Sequence, residues 1–222
     1  MVSILLAVYN GEKYIKKSID SILNQTYTDF ELLIGFNGTI DQSKNIVNEY
    51  KDDRIKIFDY GMDSGKSKTL NKMLKHANGE WIAIQDDDDI WIQTKLDIQM
   101  KYADTGQFDV IGTKIFYCNE EDIITGEPNL YLNHDEILSS CFNGDNQIAN
   151  TSAIFKKEDT LFVKGWDENI IGIEDFDFWF KLIKKGCRFI NIPTPLVLHR
   201  IHNGSNFNIK RYDINHLINR YR

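Results

Sequence analysis

Along the first ninety residues, unbroken apolar runs trade places with spaced apolar stripes. Ser3 to Tyr9 is continuously apolar, as a strand covered on both faces would be. Asn10-Gly11 breaks it, and Tyr14, Ile15, Ser18, Ile19 and Ile22-Leu23 then recur at helical spacing. Phe30 to Phe36 predicts a second buried strand, ended by Asn37-Gly38, and Asp41 reads as the N-cap of a helix carrying Ile46, Val47 and Tyr50. Arg54 to Phe58 alternates charge and apolarity, which suits a strand nearer the sheet edge. Leu70, Met73, Leu74 and Ala77 share one face of a helix over Lys68 to Ala77, with Gly79 as its stop signal. Trp81 to Ile84 is a fourth strand. This strand–helix alternation predicts a parallel sheet with right-handed crossovers, a Rossmann-like half.

The rest of the chain is less regular. Phe108 to Tyr117 and Ala149 to Phe155 read as strands, with a polar loop from Glu120 to His134 between them. Glu174 to Lys185 predicts a helix, with acids in its first turn, Phe176, Trp179, Phe180 and Ile183 inside, and Gly186 after it. Arg188 to Ile192 and Leu196 to Ile201 read as two short strands parted by Pro193 and Pro195. Lys210 to Arg222 is a basic amphipathic tail carrying Tyr212, Ile214, Leu217, Ile218 and Tyr221. It fits a packed terminal helix, a partner helix or peripheral contact with a membrane.

A chain of 222 residues with 42% hydrophobic and 12% aromatic residues can bury a proper core. Its formal charge of −7 argues against nucleic-acid binding by phosphate neutralisation and leaves room for a small anion held through a metal. Cys118, Cys141 and Cys187 are widely spaced, and free thiols in a reducing compartment are expected. The apolar N-terminus lacks a basic leader and a cleavage site, and no run reaches the length of a spanning helix. A cytoplasmic protein, or one at the inner face of the membrane, is expected.

Four consecutive aspartates, Asp86 to Asp89, close the fourth strand. On an extended segment Asp86 and Asp88 point one way and Asp87 and Asp89 the other. Two carboxylates converging at a strand end suit a hard cation, Mg²⁺ or Mn²⁺, with diphosphate oxygens completing its shell. A solvated acidic turn before a helix is the plainer alternative. Gly61 to Ser67 resembles a phosphate-binding P-loop but has one residue too few between its glycines. Lys66 or Lys68 facing a phosphate, or a plain loop leading into a helix, are its other readings. Trp166-Asp167-Glu168 and Glu174-Asp175 set acids beside aromatics, where burial can raise a carboxyl pKa for general-base work. His199 and His202 fall on opposite faces if their segment is extended.

In this order the segments resemble the inverting family-two glycosyltransferases of the GT-A fold, over about Ser3 to Ser205. Ala7-Val8-Tyr9-Asn10 is similar to the segment flanking the nucleotide base. Asn37-Gly38-Thr39-Ile40-Asp41 is similar to the Asp-Gly-Ser-Thr-Asp-like turn, and Gly65 to Asn71 to the helix start before the metal strand. Asp86 to Trp91 resembles the Asp-x-Asp-Asp-x-Trp signature, Glu174-Asp175 the Glu-Asp motif, and Arg200-x-His202 a late metal- or diphosphate-facing motif.

The resemblance implies an α/β fold: a mostly parallel central sheet flanked by helices, with a smaller acceptor-side β region. It divides the chain into a nucleotide-binding half (1–92), an acceptor half (93–205) and a terminal helix (206–222). Ala7, Tyr9, Asn37, Lys66, Asp86 and Asp87 would meet the nucleotide, and Asp88 and His202 the cation. Asp175 would be the catalytic base, and Trp166, Asp167, Glu168 and Glu174 would line the acceptor side. The implied reaction moves a sugar from a nucleotide-diphosphate sugar to a glycan or lipid-linked acceptor hydroxyl, in bacterial surface polysaccharide or glycan synthesis. Many relatives carry a base-reading aspartate where this chain has Phe36 or Asn37, so Asn37 would hydrogen-bond the base or Phe36 would stack on it. A polyol-phosphate transferase, a P-loop-like phosphotransferase and a non-catalytic nucleotide-sugar module are the alternatives.

Overall fold

The computed structural model describes residues 1–62, 65–204 and 214–222. Lys210 and Tyr212 of the tail, and Asp63-Ser64 of the glycine loop, lie outside the described residues. The first half of the chain alternates β1 (Val2–Val8), α1 (Ile15–Leu23), β2 (Phe30–Phe36), α2 (Ser43–Asn48), β3 (Ile55–Asp59), α3 (Gly65–Leu74) and β4 (Trp81–Gln85). Then come β5 (Ile90–Trp91), α4 (Lys95–Ala103), β6 (Val110–Cys118), β7 (Ile124–Gly126), α5 (His134–Phe142), β8 (Ile154–Lys156), α6 (Lys157–Phe162), α7 (Glu174–Lys185), β9 (Phe189–Arg200) and α8 (Asn215–Tyr221).

The strands form one mixed sheet in the order β3-β2-β1-β4-β8-β6-β9-β5, with β7 hairpinned onto β6. β1 to β4 are parallel, as the sequence predicts, and β3 lies at the edge. β8 runs antiparallel to both β4 and β6, which returns β6 and β9 to the direction of β4. The C-terminal ends of β1, β2, β4, β6 and β9 therefore share one sheet edge. This is the α/β, GT-A-like architecture expected from the resemblance.

Four expectations need correction. Gln42, not Asp41, occupies the α2 N-cap position; Asp41 instead accepts the Ser43 N–H at 3.0 Å. The two late strands are one, β9, because a register shift between Thr113 and Lys114 of β6 lets Pro193-Thr194 bulge past it. The polar loop before His134 contains β7. α7 buries Phe178, Asp177 and Leu182 as well as the expected face, since α6 and α8 also pack against it.

Alternate residues of each central strand serve two cores. Leu5, Leu33, Ile82 and Ile84 face α3, α5, α7 and α8; Ile4, Leu6, Leu32, Ile34 and Ala83 face α1, α2 and α4. The tail's apolar residues belong to the first core: Leu217, Ile218 and Tyr221 are buried, and the Tyr221 hydroxyl donates to Asp177 at 2.7 Å. From 214 onward that face is spent on the domain itself.

At the sheet edge opposite the strand C-termini, the buried Glu31 accepts from Ser3 Oγ (2.5 Å) and Asn78 N (2.5 Å) and pairs with Lys56 (2.6 Å). Burial pushes its carboxyl up, but Lys56, Ser3 and Asn78 together pull it down to about 2 from 4.5. A lowered folded pKa stabilises above the unfolded value and loses that contribution as pH falls towards about 2. Glu31→Gln should cost about 2–3 kcal/mol at pH 7, with the gap to wild type narrowing in acid. Urea unfolding at pH 7 and at acid pH measures both.

Candidate active site

β4 is buried along its whole length and delivers Asp86 to Asp89 to the shared edge. There the chain turns, with Asp89 N–H donating to Asp86 O at 3.3 Å, and returns as β5 antiparallel to β9. The turn cancels the two-way alternation expected of an extended segment. Asp86 Oδ1 pairs with Lys66 Nζ at 2.6 Å, and Asp87 Oδ2 accepts the Tyr9 N–H at 3.3 Å. Asp88 Oδ2 lies 3.0 Å from His202 Nε2. Asp89, fully buried, meets His199 Nδ1 at 3.0 Å and accepts the Arg200 N–H at 2.8 Å. The two histidines thus reach one acidic turn, because the strand ends at Arg200 before His202 is placed.

Negative charge is crowded here. Burial, then the charges of Asp88 and Asp86, push the Asp87 carboxyl up to about 8. Burial with the charges of Asp89 and Asp86 lifts Asp88 to about 6. Asp86 moves the other way, because Lys66 and His199 outweigh its burial. Burial opposes the charge on Lys66 as well, yet Asp86, Glu174 and Asp175 hold it firmly protonated.

Arg200 braces the turn from behind. Its fully buried guanidinium donates to the carbonyls of Asp88 (2.8 Å) and Asn119 (2.7 Å), pairs with Asp122 at 2.5 Å and lies 4.6 Å from the Tyr14 ring centre. Lys13, just before α1, and Lys17 within it pair with Glu120 and Asp122 of the same hairpin. No spacing in the sequence signals this contact between segments near 14, 88, 120 and 200.

The loops that follow β1 and β2 sit against the turn. Asn10, at φ 54°, takes the Ile40 N–H on its side chain at 2.9 Å, and Thr39 Oγ1 donates to Val8 O at 2.9 Å. A Cβ at Gly11 would stand 2.5 Å from Asp87 Oδ2, so a side chain there would have to displace that carboxylate. Ala7 is half-buried and Tyr9 is exposed beside this loop. Asn37 is half-buried at the end of β2, its N–H bonded to Val8 O. Phe36 is only 2% exposed within the core, which leaves its ring unsuited to stacking on a base.

Asp175 opens α7 and shares this cleft, close enough for its charge to act on Lys66 and Asp86. Asn146 Nδ2 donates to its Oδ2 at 3.2 Å, and the Phe176 N–H to its Oδ1 at 2.8 Å. Burial and the Glu174 charge raise Asp175 to about 6, with Lys66 opposing. Glu174 accepts the Gly172 N–H at 2.5 Å. Trp166 corrects an expectation: its ring is buried and stacked on Phe178, 4.6 Å between centres, so it does not face an acceptor. Asn71, which ends the Gly65 to Asn71 segment on α3, clamps this loop by bonding Trp166 N and O and Glu168 Oε1. Asp167 accepts from Asn169 and pairs with Arg220 of α8 at 3.4 Å.

The donor set around Asp88 fits a divalent cation. Its two donor atoms stand 3.0 Å apart, about the spacing of neighbouring ligands on a cation with bonds of about 2.1 Å. Asp87 and Asp88, pushed towards neutrality, lack the positive charge a cation would add. A second cluster, Asp109, Asp159 and Cys187, lies at the opposite sheet edge. Lys156 and Lys185 already neutralise its carboxylates, and burial first, then Asp159, pushes the Cys187 thiol up to about 12. That chemistry suits a closed ion-pair network.

The family model for "Glycosyl transferase family 2" matches residues 3–163, most of the chain. The chain belongs to this family. It is 30% identical over 207 residues to the Escherichia coli UDP-Glc:alpha-D-GlcNAc-diphosphoundecaprenol beta-1,3-glucosyltransferase WfaP, covering 92% of this chain and 79% of that protein. Among solved structures, S. aureus TarS 1–349 in complex with UDP-GlcNAc superposes with a TM-score of 0.80 at 19% identity. That likeness covers 97% of this chain and 63% of the TarS fragment, and it shows the fold. The mannosyltransferase PcManGT from Pyrobaculum calidifontis, solved with GDP-Man and Mn²⁺, has a TM-score of 0.71 at 18% identity, covering 92% of this chain and 58% of that one. The family-two chain described here is thus a glycosyltransferase of the GT-A fold. Among its described residues no helix is long and apolar enough to cross a membrane.

Proposed function

We propose that this family-two chain is a metal-dependent, inverting glycosyltransferase that moves a sugar from a nucleotide-diphosphate sugar to a hydroxyl of a glycan or lipid-linked acceptor. One observation carries the reading: segments near residues 66, 86–89, 175 and 202 meet at a single sheet edge. That edge sets the Asp88–His202 pair, the Lys66 ammonium beside Asp86 and the Asp175 carboxyl of raised pKa together. The nucleotide lies along Ala7, Tyr9 and Asn37, with Asp86 and Asp87 beneath it. Lys66 orients the diphosphate by its charge, and Asp88 with His202 would hold Mn²⁺ or Mg²⁺. When bound, that ion offsets negative charge on the departing diphosphate.

Asp175 accepts the proton of the acceptor hydroxyl. The acceptor oxygen forms its bond to the anomeric carbon as the opposite carbon–phosphate-oxygen bond breaks, and the electron pair leaves with the nucleoside diphosphate. Attack from the face opposite the leaving group inverts the anomeric centre. Asp167, Glu168 and Glu174 sit on the acceptor side of Asp175. The donor and acceptor in the name of WfaP support this substrate class, and the Mn²⁺ and GDP-Man of PcManGT support the cation and the donor type.

The test is a melting-point panel with uridine, guanosine, cytidine and thymidine diphosphates, each with and without Mn²⁺, followed by donor hydrolysis. A ligand at 100 times its Kd stabilises the fold by about 2.7 kcal/mol, a readable shift. One base should stabilise the protein only with Mn²⁺, and its sugar donor should slowly release nucleoside diphosphate. No shift with any nucleotide would overturn the reading; a shift without any release would reduce the chain to a binding module.

A further inference from the structure

Asp175 is held from outside α7 by Asn146, which lies in the segment between α5 and β8. The direction of that amide is fixed. Asn146 Oδ1 accepts the Ile148 N–H at 3.1 Å, so Nδ2 is the end that faces Asp175. The backbone around it is anchored on both sides. Before it, the Asp145 N–H donates to the Ser140 carbonyl of α5 at 3.1 Å. After it, Gln147 accepts the Tyr131 N–H on its side chain and Asn191 Nδ2 of β9 on its carbonyl, each at 2.8 Å. Ile148 is fully buried in the first core. A loop tied this way holds its side chain about as firmly as a helix or strand would.

Each oxygen of Asp175 thus has a fixed donor: the Phe176 N–H on Oδ1 and Asn146 on Oδ2. An ionised carboxylate accepts about four hydrogen bonds, which leaves each oxygen room for a hydroxyl proton. The charged groups acting on it are Glu174 of its own helix, Lys66 of α3 and Asp86 of the acidic turn. Lys66 is paired with Asp86 at 2.6 Å, so the grip on Oδ2 comes from a neutral group. That choice matters. A lysine or arginine in place of Asn146 would pair with the carboxylate and weaken it as a proton acceptor, whereas an amide orients it and leaves the charge in place.

We propose that Asn146 is a positioning residue for Asp175: its amide sets the plane of the carboxylate and supports its anionic form without pairing away the charge. In the transferase reading, on which this step alone rests, the fixed plane presents an open lone pair to the acceptor hydroxyl.

Carbon-13 spectra of the full chain, labelled at its carboxyl groups and free of nucleotide and metal, follow Asp175 across pH. The signal that Asp175→Asn removes identifies it. Asn146→Ala takes away the donor and should raise the titration midpoint by about one pH unit. Asn146→Asp keeps the shape and still accepts the Ile148 N–H, but it sets two carboxylates in contact. The upper step of that pair should rise further. In steady-state transfer, the acid limb of kcat/KM should move up with the midpoint. On the plateau, kcat of Asn146→Ala should fall about 10-fold at unchanged donor KM. Midpoints that stay put in both variants would overturn the proposal, whatever the melting temperature does. So would an acid limb that ignores a moved midpoint in an active enzyme. A wild type that transfers no sugar, with midpoints that still move, would sink the transferase reading and leave this grip standing.

Discussion

Asp175→Asn should lower kcat by about 10³-fold while leaving nucleotide affinity within error. The amide keeps the shape of the side chain and can still accept the Phe176 N–H, but it cannot take a proton. Wild-type kcat/KM should fall as the pH drops through about 6, where the raised carboxyl becomes protonated, and the variant's residual activity should lack that limb. The stability sign runs opposite to the activity sign. A carboxyl whose folded pKa lies above its unfolded value destabilises the fold when ionised, so at pH 7 the amide should melt at or above the wild-type temperature. Steady-state rates across pH, with a melting curve for each protein, check all three points. Near-normal turnover in the variant would remove Asp175 from the reaction.

Asp88→Ala should weaken nucleoside diphosphate binding in Mn²⁺ by at least about 10–100-fold, the range seen when even a supporting group of a metal site is lost. Without Mn²⁺ the two proteins should bind equally weakly. The substitution leaves the local frame in place, because Arg200 holds the Asp88 backbone carbonyl and not its carboxylate. Titration calorimetry with and without the ion separates these cases. Equal affinities in Mn²⁺ would take the cation away from Asp88 and His202.

Much of the first half of the chain was legible in residue order alone. Strands buried on both faces read as unbroken runs, helices as stripes, and loops as Asn-Gly pairs, because each signal lies within one element. The acidic run after β4 and the Glu-Asp pair that opens α7 were equally readable. Less was visible beyond residue 92. α4 and α5 carry weak stripes, and Pro193 and Pro195 argue locally for a break that β6 tolerates by a slip in register.

Local pattern therefore settled which segments are strands and helices, which of them are buried, and where the acids lie along the chain. The partner of each acid was a tertiary decision. Asp86, Asp87, Asp88 and Asp89 look interchangeable in the sequence, yet they meet Lys66, Tyr9, His202 and His199 respectively. Those partners come from positions up to 114 residues away, and a turn aims each carboxylate separately. The same holds for the tail, whose apolar stripe could suit lipid or protein until Asp177 and Phe180 of α7 claimed Tyr221. Backbone periodicity is a short-range property of the chain, whereas charge pairing and burial depend on which distant surfaces the folded sheet brings within a few ångströms.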